Sequence, residues 1–308
     1  MSDMPDIDMH IAQGEANRPG EGARAALADP GWRGYHAGLR SLAMPTMTAK
    51  TAAPSARSPG HAPALAVTGA LATITLRRPD VANRLELEDL ATLRGHLREV
   101  NARRDVLVLR LCAEGRHFCA GFNIGNVAEG SVGERFGALA DELEEARPVT
   151  IAAINGGVYG GATDLALACD FRIGVHTSEM FVPAARLGLL FYRGGLQRAV
   201  SRLGLNMAKK LLLSAVTLDA AQMRACGFLD TVVAAEALRE EVERLSGELA
   251  GMAPLALLGM KKHLNHIAHG TFDEAGFARD VAQVDVSQDL REGALAWKEK
   301  RKPLFRGE

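Results

Sequence analysis

The chain has 308 residues, 47% of them hydrophobic, enough to bury one large core or two small ones. Its 36 Lys+Arg nearly balance 37 Asp+Glu, so no basic excess marks a nucleic-acid surface. No apolar run reaches the roughly 18 residues of a membrane span, and no basic-then-apolar signal pattern opens the chain. We therefore expect a cytoplasmic protein that contacts neither nucleic acid nor membrane.

Residues 1–62 are rich in Ala, Ser, Thr and Pro without sustained periodicity, which predicts a flexible tail. Inside it, "EGARAALADPGWRGYHAGLRSL" has the pattern of a short amphipathic helix, and Met44 or Met47 are alternative starts. "ALAVTGALATITLRRP" alternates around a Gly-Ala turn and predicts a hairpin. "LELEDLATLRGHLREVNAR" has helical spacing, and "DVLVLRLCAEG" is a buried strand ending in a glycine turn. "HFCAGFNIG" follows at once, then a helix at "ERFGALADELEEA". "PVTIAAING" is a strand delivered into glycines, "ATDLALACD" a short buried helix, and "FRIGVHT" and "EMFV" are strands. This alternation predicts an α/β class over residues 63–204, and helical patterns fill residues 205–308. Cys112, Cys119, Cys169 and Cys226 are scattered in apolar company, with no CxxC pair and no histidine cluster at metal spacing. They are expected to be buried, reduced thiols, with no metal site.

Two strand ends run into glycines: "CAEGRHFCAGFNIG" and "NGGVYGGATDLA". Each alone reads as an ordinary strand-to-helix turn, and neither fits the phosphate-cradling P-loop pattern. Together they allow two backbone N–H groups to converge on one oxygen, one of them aided by a helix N-terminus. Such a pair stabilises a thioester enolate or a tetrahedral oxyanion. By spacing alone, Asp164 reads first as a residue favoured at a helix N-terminus through capping and dipole.

An ordered series extends over about residues 65–305: "ITLRRP…NRL", "HFCAGFNI", "PVTIAAINGGVYGGATDLALACDFRI", "VPAARLGLLFYRGGLQRAVSRLG", "LLLSAVTLDAAQMRACGFLDTVV" and "REGALAWKEKRKPLF". It resembles the crotonase (enoyl-CoA hydratase/isomerase) superfamily. The resemblance implies a spiral of repeated ββα turns followed by a C-terminal helical trimerisation segment. It also implies homotrimers or dimers of trimers around acyl-CoA sites, with no cofactor because CoA is part of the substrate.

Carried over by position, the oxyanion donors are the N–H groups of Phe122 and Gly161. Asn83, Arg84 and Leu85, with Ala120, Gly121, Asn123 and Ile124, resemble the walls that hold CoA. Lys302, in the basic run beginning at Lys300, resembles a residue that meets the CoA phosphates; a solvated helix end is the alternative. The first glutamate of the hydratases aligns with Asp164, and the second with Ala184, which cannot transfer a proton. That departure argues against two-carboxylate hydration. Where some relatives carry a reactive aspartate or tyrosine, this chain has Tyr192 and Phe191. Tyr192 is thus a second acid/base candidate beside Asp164, or a pocket wall. Tyr159 is expected to pack beside the glycines, His117 to be a surface turn residue, and Arg186 and Arg193 to be surface groups or contacts to a polar acyl end. The expected reaction is proton shuttling at an enolate, as in double-bond isomerisation. Malonyl-type decarboxylation, hydration and a catalytically silent acyl-CoA-binding scaffold stand as alternatives.

Overall fold

β1 (His61–Thr68) and β2 (Leu71–Arg77) form the expected hairpin, with Thr68 paired to Leu71 across the Gly69–Ala70 turn. They are the first elements of a computed structural model, which describes residues 60–123 and 132–308. The tail, its candidate helix and the alternative starts lie outside the described residues, except that β1 begins at His61. Burial alternates along β2, where Ala72, Ile74 and Leu76 face inward as a one-sided strand requires.

β3 (Val108–Ala113), β4 (Val149–Ile154), β6 (Phe171–Val175) and β9 (Thr231–Val233) extend β2 in parallel. The sheet order is β1-β2-β3-β4-β6-β9. Every residue of β4 is buried, as expected for a parallel strand covered on both faces. On one face, Ile74, Leu76, Leu109 and Leu111 pack with α1 (Leu87–Ala102), α2 (Val132–Glu144) and α3 (Gly161–Ala168). On the other, Val149, Ile151, Ile173 and Val175 pack with Leu238, Val242 and Leu249 of α7 (Leu238–Ala250). A smaller sheet joins β5 (Val158–Tyr159), β7 (Glu179–Phe181) and β8 (Leu218–Asp219).

α4 (Arg193–Leu203), α5 (Leu205–Ser214) and α6 (Ala220–Ala225) follow the β7 region. After β9 and α7 the chain is helical: α8 (Pro254–His269), α9 (Glu274–Asp285) and α10 (Gln288–Glu299). One boundary differs from expectation. β8 and β9 fall beyond residue 204, so the sheet takes its last strand from the stretch expected to be helical. The strand has only three residues, too few for a period-2 pattern to emerge among helices.

Candidate active site

The two glycine-rich turns lie side by side. Phe118 N–H donates to Gly157 O at 3.0 Å and Tyr159 N–H to Cys119 O at 2.9 Å, so the two segments run in parallel. Gly121 then takes φ +81, and a Cβ there would sit 2.8 Å from Tyr159 O and 3.0 Å from Gly161 N. Only glycine allows both that dihedral and that approach. A third segment closes on the same place: Gly160 N–H donates to Phe181 O at 2.9 Å.

Phe122 is bracketed by two hydrogen bonds to Leu85, one accepted by Gly121 O and one donated by Asn123 N–H. In a parallel ladder this alternation directs the intervening Phe122 N–H to the other side. Gly161 is the first residue of α3, where an N–H has no intrahelical partner and the helix dipole is positive. Among the described residues, neither N–H has a backbone acceptor. Two adjacent turns therefore present two unengaged donors, the arrangement that polarises a carbonyl oxygen.

Asp164 is the fourth residue of α3 and is not its cap; Gly160 holds that position without a side chain. The carboxylate, 2% exposed, is turned toward α4. Arg198 Nε donates to Oδ1 at 2.8 Å and Arg198 Nη2 to Oδ2 at 2.7 Å. The Tyr192 hydroxyl donates to the same Oδ2 at 2.6 Å. Both candidate acid/base groups are thus joined by one hydrogen bond.

The Tyr192 ring is stacked on Phe191 at 4.7 Å and fits a slot that side chains would fill. A Cβ on Gly137 would lie 2.8 Å from the ring, and one on Gly195 2.9 Å from it. Burial, then the charge of Asp164 and the hydrogen bond to it, push the tyrosine pKa well above its ordinary value. Tyr192 consequently keeps its proton and presents it as a donor. Ala184 opens a short 3-10 turn (Ala184–Leu187) and is half-buried.

The segments matched to the CoA walls meet the Phe122 turn, but their side chains have other partners. Buried Asn83 accepts from Arg78 N–H and donates to Glu114 O and His117 O, so it pins the turn. Arg84 pairs with Glu86, and Asn123 donates to both Glu86 carboxylate oxygens. Leu85 is in the core, and Ala120 N–H donates to Ala82 O. Ile124 lies outside the described residues. Lys302 is exposed on the segment after α10, and none of its described contacts reaches the Phe122 turn.

Of the remaining candidates, Arg186 donates to Ala215 O at 2.9 Å, and Arg193 is exposed at the start of α4. Tyr159 packs on Phe181 at 4.9 Å and donates to Glu179 at 2.7 Å; burial lifts its pKa to about 12. His117 is half-buried beside Tyr159 rather than on the surface, because its turn is tucked against the parallel 157–159 segment. Sequence reasoning missed Arg198 with its further partners Asp141 and Glu144. The available signal was spacing: Gly195, Arg198 and Ala199 are the buried positions of α4, so an arginine stands on an apolar face.

Comparison with known proteins identifies the family. The sequence profile described as enoyl-CoA hydratase/isomerase matches residues 67–308. The chain is 35% identical over 214 residues to the enoyl-CoA isomerase/hydratase fer4 of Mycosarcoma maydis, covering 66% of this chain and 76% of that protein. It is 32% identical over 244 residues to the crotonyl-CoA hydratase of Syntrophomonas wolfei, covering 76% and 94%. The solved structure of enoyl-CoA hydratase subunit I from Geobacillus kaustophilus superposes with a TM-score of 0.73 at 31% identity, covering 82% of this chain and all of that one. On a profile that spans most of the chain, relatives above 30% identity and a shared architecture, the chain belongs to the enoyl-CoA hydratase/isomerase family of the crotonase superfamily.

Proposed function

We propose that this enzyme moves a proton along the acyl chain of a CoA thioester, as a 3-enoyl to 2-enoyl isomerase does. The observation that carries the reading is the short Tyr192–Asp164 hydrogen bond, next to a site with no second carboxylate at Ala184. Phe122 N–H and Gly161 N–H receive the thioester oxygen, whose negative charge grows as the α-carbon loses its proton. That proton passes to Tyr192 Oη while the tyrosine's own proton passes to Asp164 Oδ2. The reverse transfer delivers a proton to the γ-carbon, and the double bond moves into conjugation. The tyrosine stays neutral throughout, in keeping with its raised pKa. CoA enters and leaves as part of the substrate, without a further cofactor, and the family's trimer or dimer of trimers is the assembly we propose.

A second reading, decarboxylation of a malonyl-type thioester, draws on the same features: loss of CO2 leaves an enolate that the Tyr192 hydroxyl can protonate. Hydration, the activity in the Syntrophomonas relative's name, is less favoured because position 184, where the second hydratase glutamate aligns, is alanine. A panel of 3-enoyl-, crotonyl- and malonyl-type CoA thioesters followed by mass spectrometry separates the three. We expect isomerisation of the 3-enoyl thioester, reduced at least about 100-fold in Tyr192→Phe and Asp164→Asn. Fast crotonyl-CoA hydration, or equal rates in wild type and both variants, overturns the proposal. Absence of any turnover together with retained thioester binding supports a silent scaffold.

A further inference from the structure

We infer that Arg198 is a positioning residue of this reaction: it fixes the plane and charge of the Asp164 carboxylate, so that proton traffic between that carboxylate and a thioester runs through Tyr192. The inference rests on the proton-transfer reading given above. Arg198 is 1% exposed, and a guanidinium so deeply buried is costly unless its donors are engaged by anions. Nε and Nη2 form a fork on Asp164, while Nη1 donates to Asp141 at 2.6 Å and to Glu144 at 2.9 Å. A planar fork leaves the carboxylate one orientation. In that orientation Oδ1 faces the arginine and Oδ2 receives both the arginine and the tyrosine hydroxyl.

The surroundings are arranged for this hub. A Cβ on Gly194 would meet Asp141 Oδ1 at 2.3 Å, so that glycine leaves room for the second acid. The groups bonded to Asp164 and to its partners come from three helices: Asp141 and Glu144 on α2, Tyr192, Arg198 and Arg202 at and within α4, and His269 on α8 behind Glu144. Three carboxylates thus share two guanidinium groups and one imidazole. Without Arg198, Asp164 faces its neighbouring acids with no direct cation, and the neutral carboxyl form gains. A protonated Asp164 cannot accept the tyrosine's proton.

The test compares Arg198→Lys and Arg198→Met with wild type in steady-state kinetics across pH. The lysine variant guards against a methionine variant that does not fold, because it keeps the charge and loses only the fork. We expect kcat to fall about 100-fold in Arg198→Lys with KM little changed, and the acid limb of the profile to move to higher pH in Arg198→Met, which removes the cation. A merely structural arginine would lower the melting temperature and leave the profile in place, which would overturn the inference. A readout independent of turnover is infrared difference spectroscopy of the Asp164 carboxyl, identified by its absence in Asp164→Asn. A protonated-carboxyl band near neutral pH in Arg198→Met, absent in wild type and Arg198→Lys, supports the inference; an ionised carboxylate in all three proteins refutes it. If no CoA thioester is turned over, the proton-transfer reading falls and the infrared arm still decides whether Arg198 controls the charge of Asp164.

Discussion

Gly161 matters as a single residue because its N–H, and nothing else about it, is proposed to act. It occupies the first position of α3, where proline is tolerated in place of a residue with an unpaired N–H. Gly161→Pro removes the donor; Gly161→Ala keeps it. A Cβ meets the Phe136 ring at 2.8 Å in either variant, so the alanine variant isolates the steric part. We expect the proline variant to be slower than the alanine variant by about 100- to 1000-fold, with helical circular dichroism retained in both. Equal rates would remove Gly161 from the oxyanion site. The proposed carbonyl-binding half of the site rests, in the sequence, on the ordered motif series, since glycine turns alone are common. Asp164 was visible as the one carboxylate in the apolar run "ATDLALA", but its partner Arg198 is 34 residues away and no local pattern joins them. Two opposite charges on two apolar helix faces form a complementary pair, and that signal was open to reading. The CoA-wall residues taught the reverse. Asn83 matched a motif by position, yet all its described bonds serve the turn.

Among the elements, the hairpin, α1 and the strands β3 and β4 were legible because each is long enough for its period to show. β9 was not, because its residues Thr231–Val233, though β-branched, are too few to show a period, and pairing with β6 completes them as a strand. The helix α8 shows how the C-terminal segment is tied to this sheet. Lys261, on α8, donates to Pro148 O at 2.7 Å and pairs with Asp170 at 2.7 Å, at the edge where β4 begins and β6 follows. Asp170 in turn accepts from Thr150 N–H at 2.7 Å. Replacing Lys261 by Met leaves a largely buried carboxylate and a carbonyl without their cation. We expect a loss of about 3 kcal/mol in denaturant unfolding, with KM for a CoA thioester unchanged. An unchanged unfolding midpoint would mean that α8 is held by its apolar contacts alone.

For the whole molecule, all four thiols were expected to be buried; the fold buries Cys119 and Cys169 and leaves Cys112 and Cys226 half-buried. Cys119 and Cys169 are fully buried, and desolvation lifts both thiol pKa values to about 12. Among the described residues no cysteine is in a disulfide. A thiol reagent should therefore leave Cys119 and Cys169 unmodified in the native protein and react with them on unfolding, as peptide mass mapping would show. Rapid native labelling of either would mean that the sheet opens far more readily than its packing implies. The paired glycine turns have a wider consequence. Both proposed donors belong to the main chain, so ordinary substitution at Phe122 changes bulk without erasing its N–H, whereas the acid at Asp164, the phenol at Tyr192 and the empty place at Ala184 can each be rewritten by one codon. Descent can thus alter where protons go while the machinery that draws charge onto the carbonyl passes on intact. A single such scaffold is free to explore several chemistries without first becoming inert.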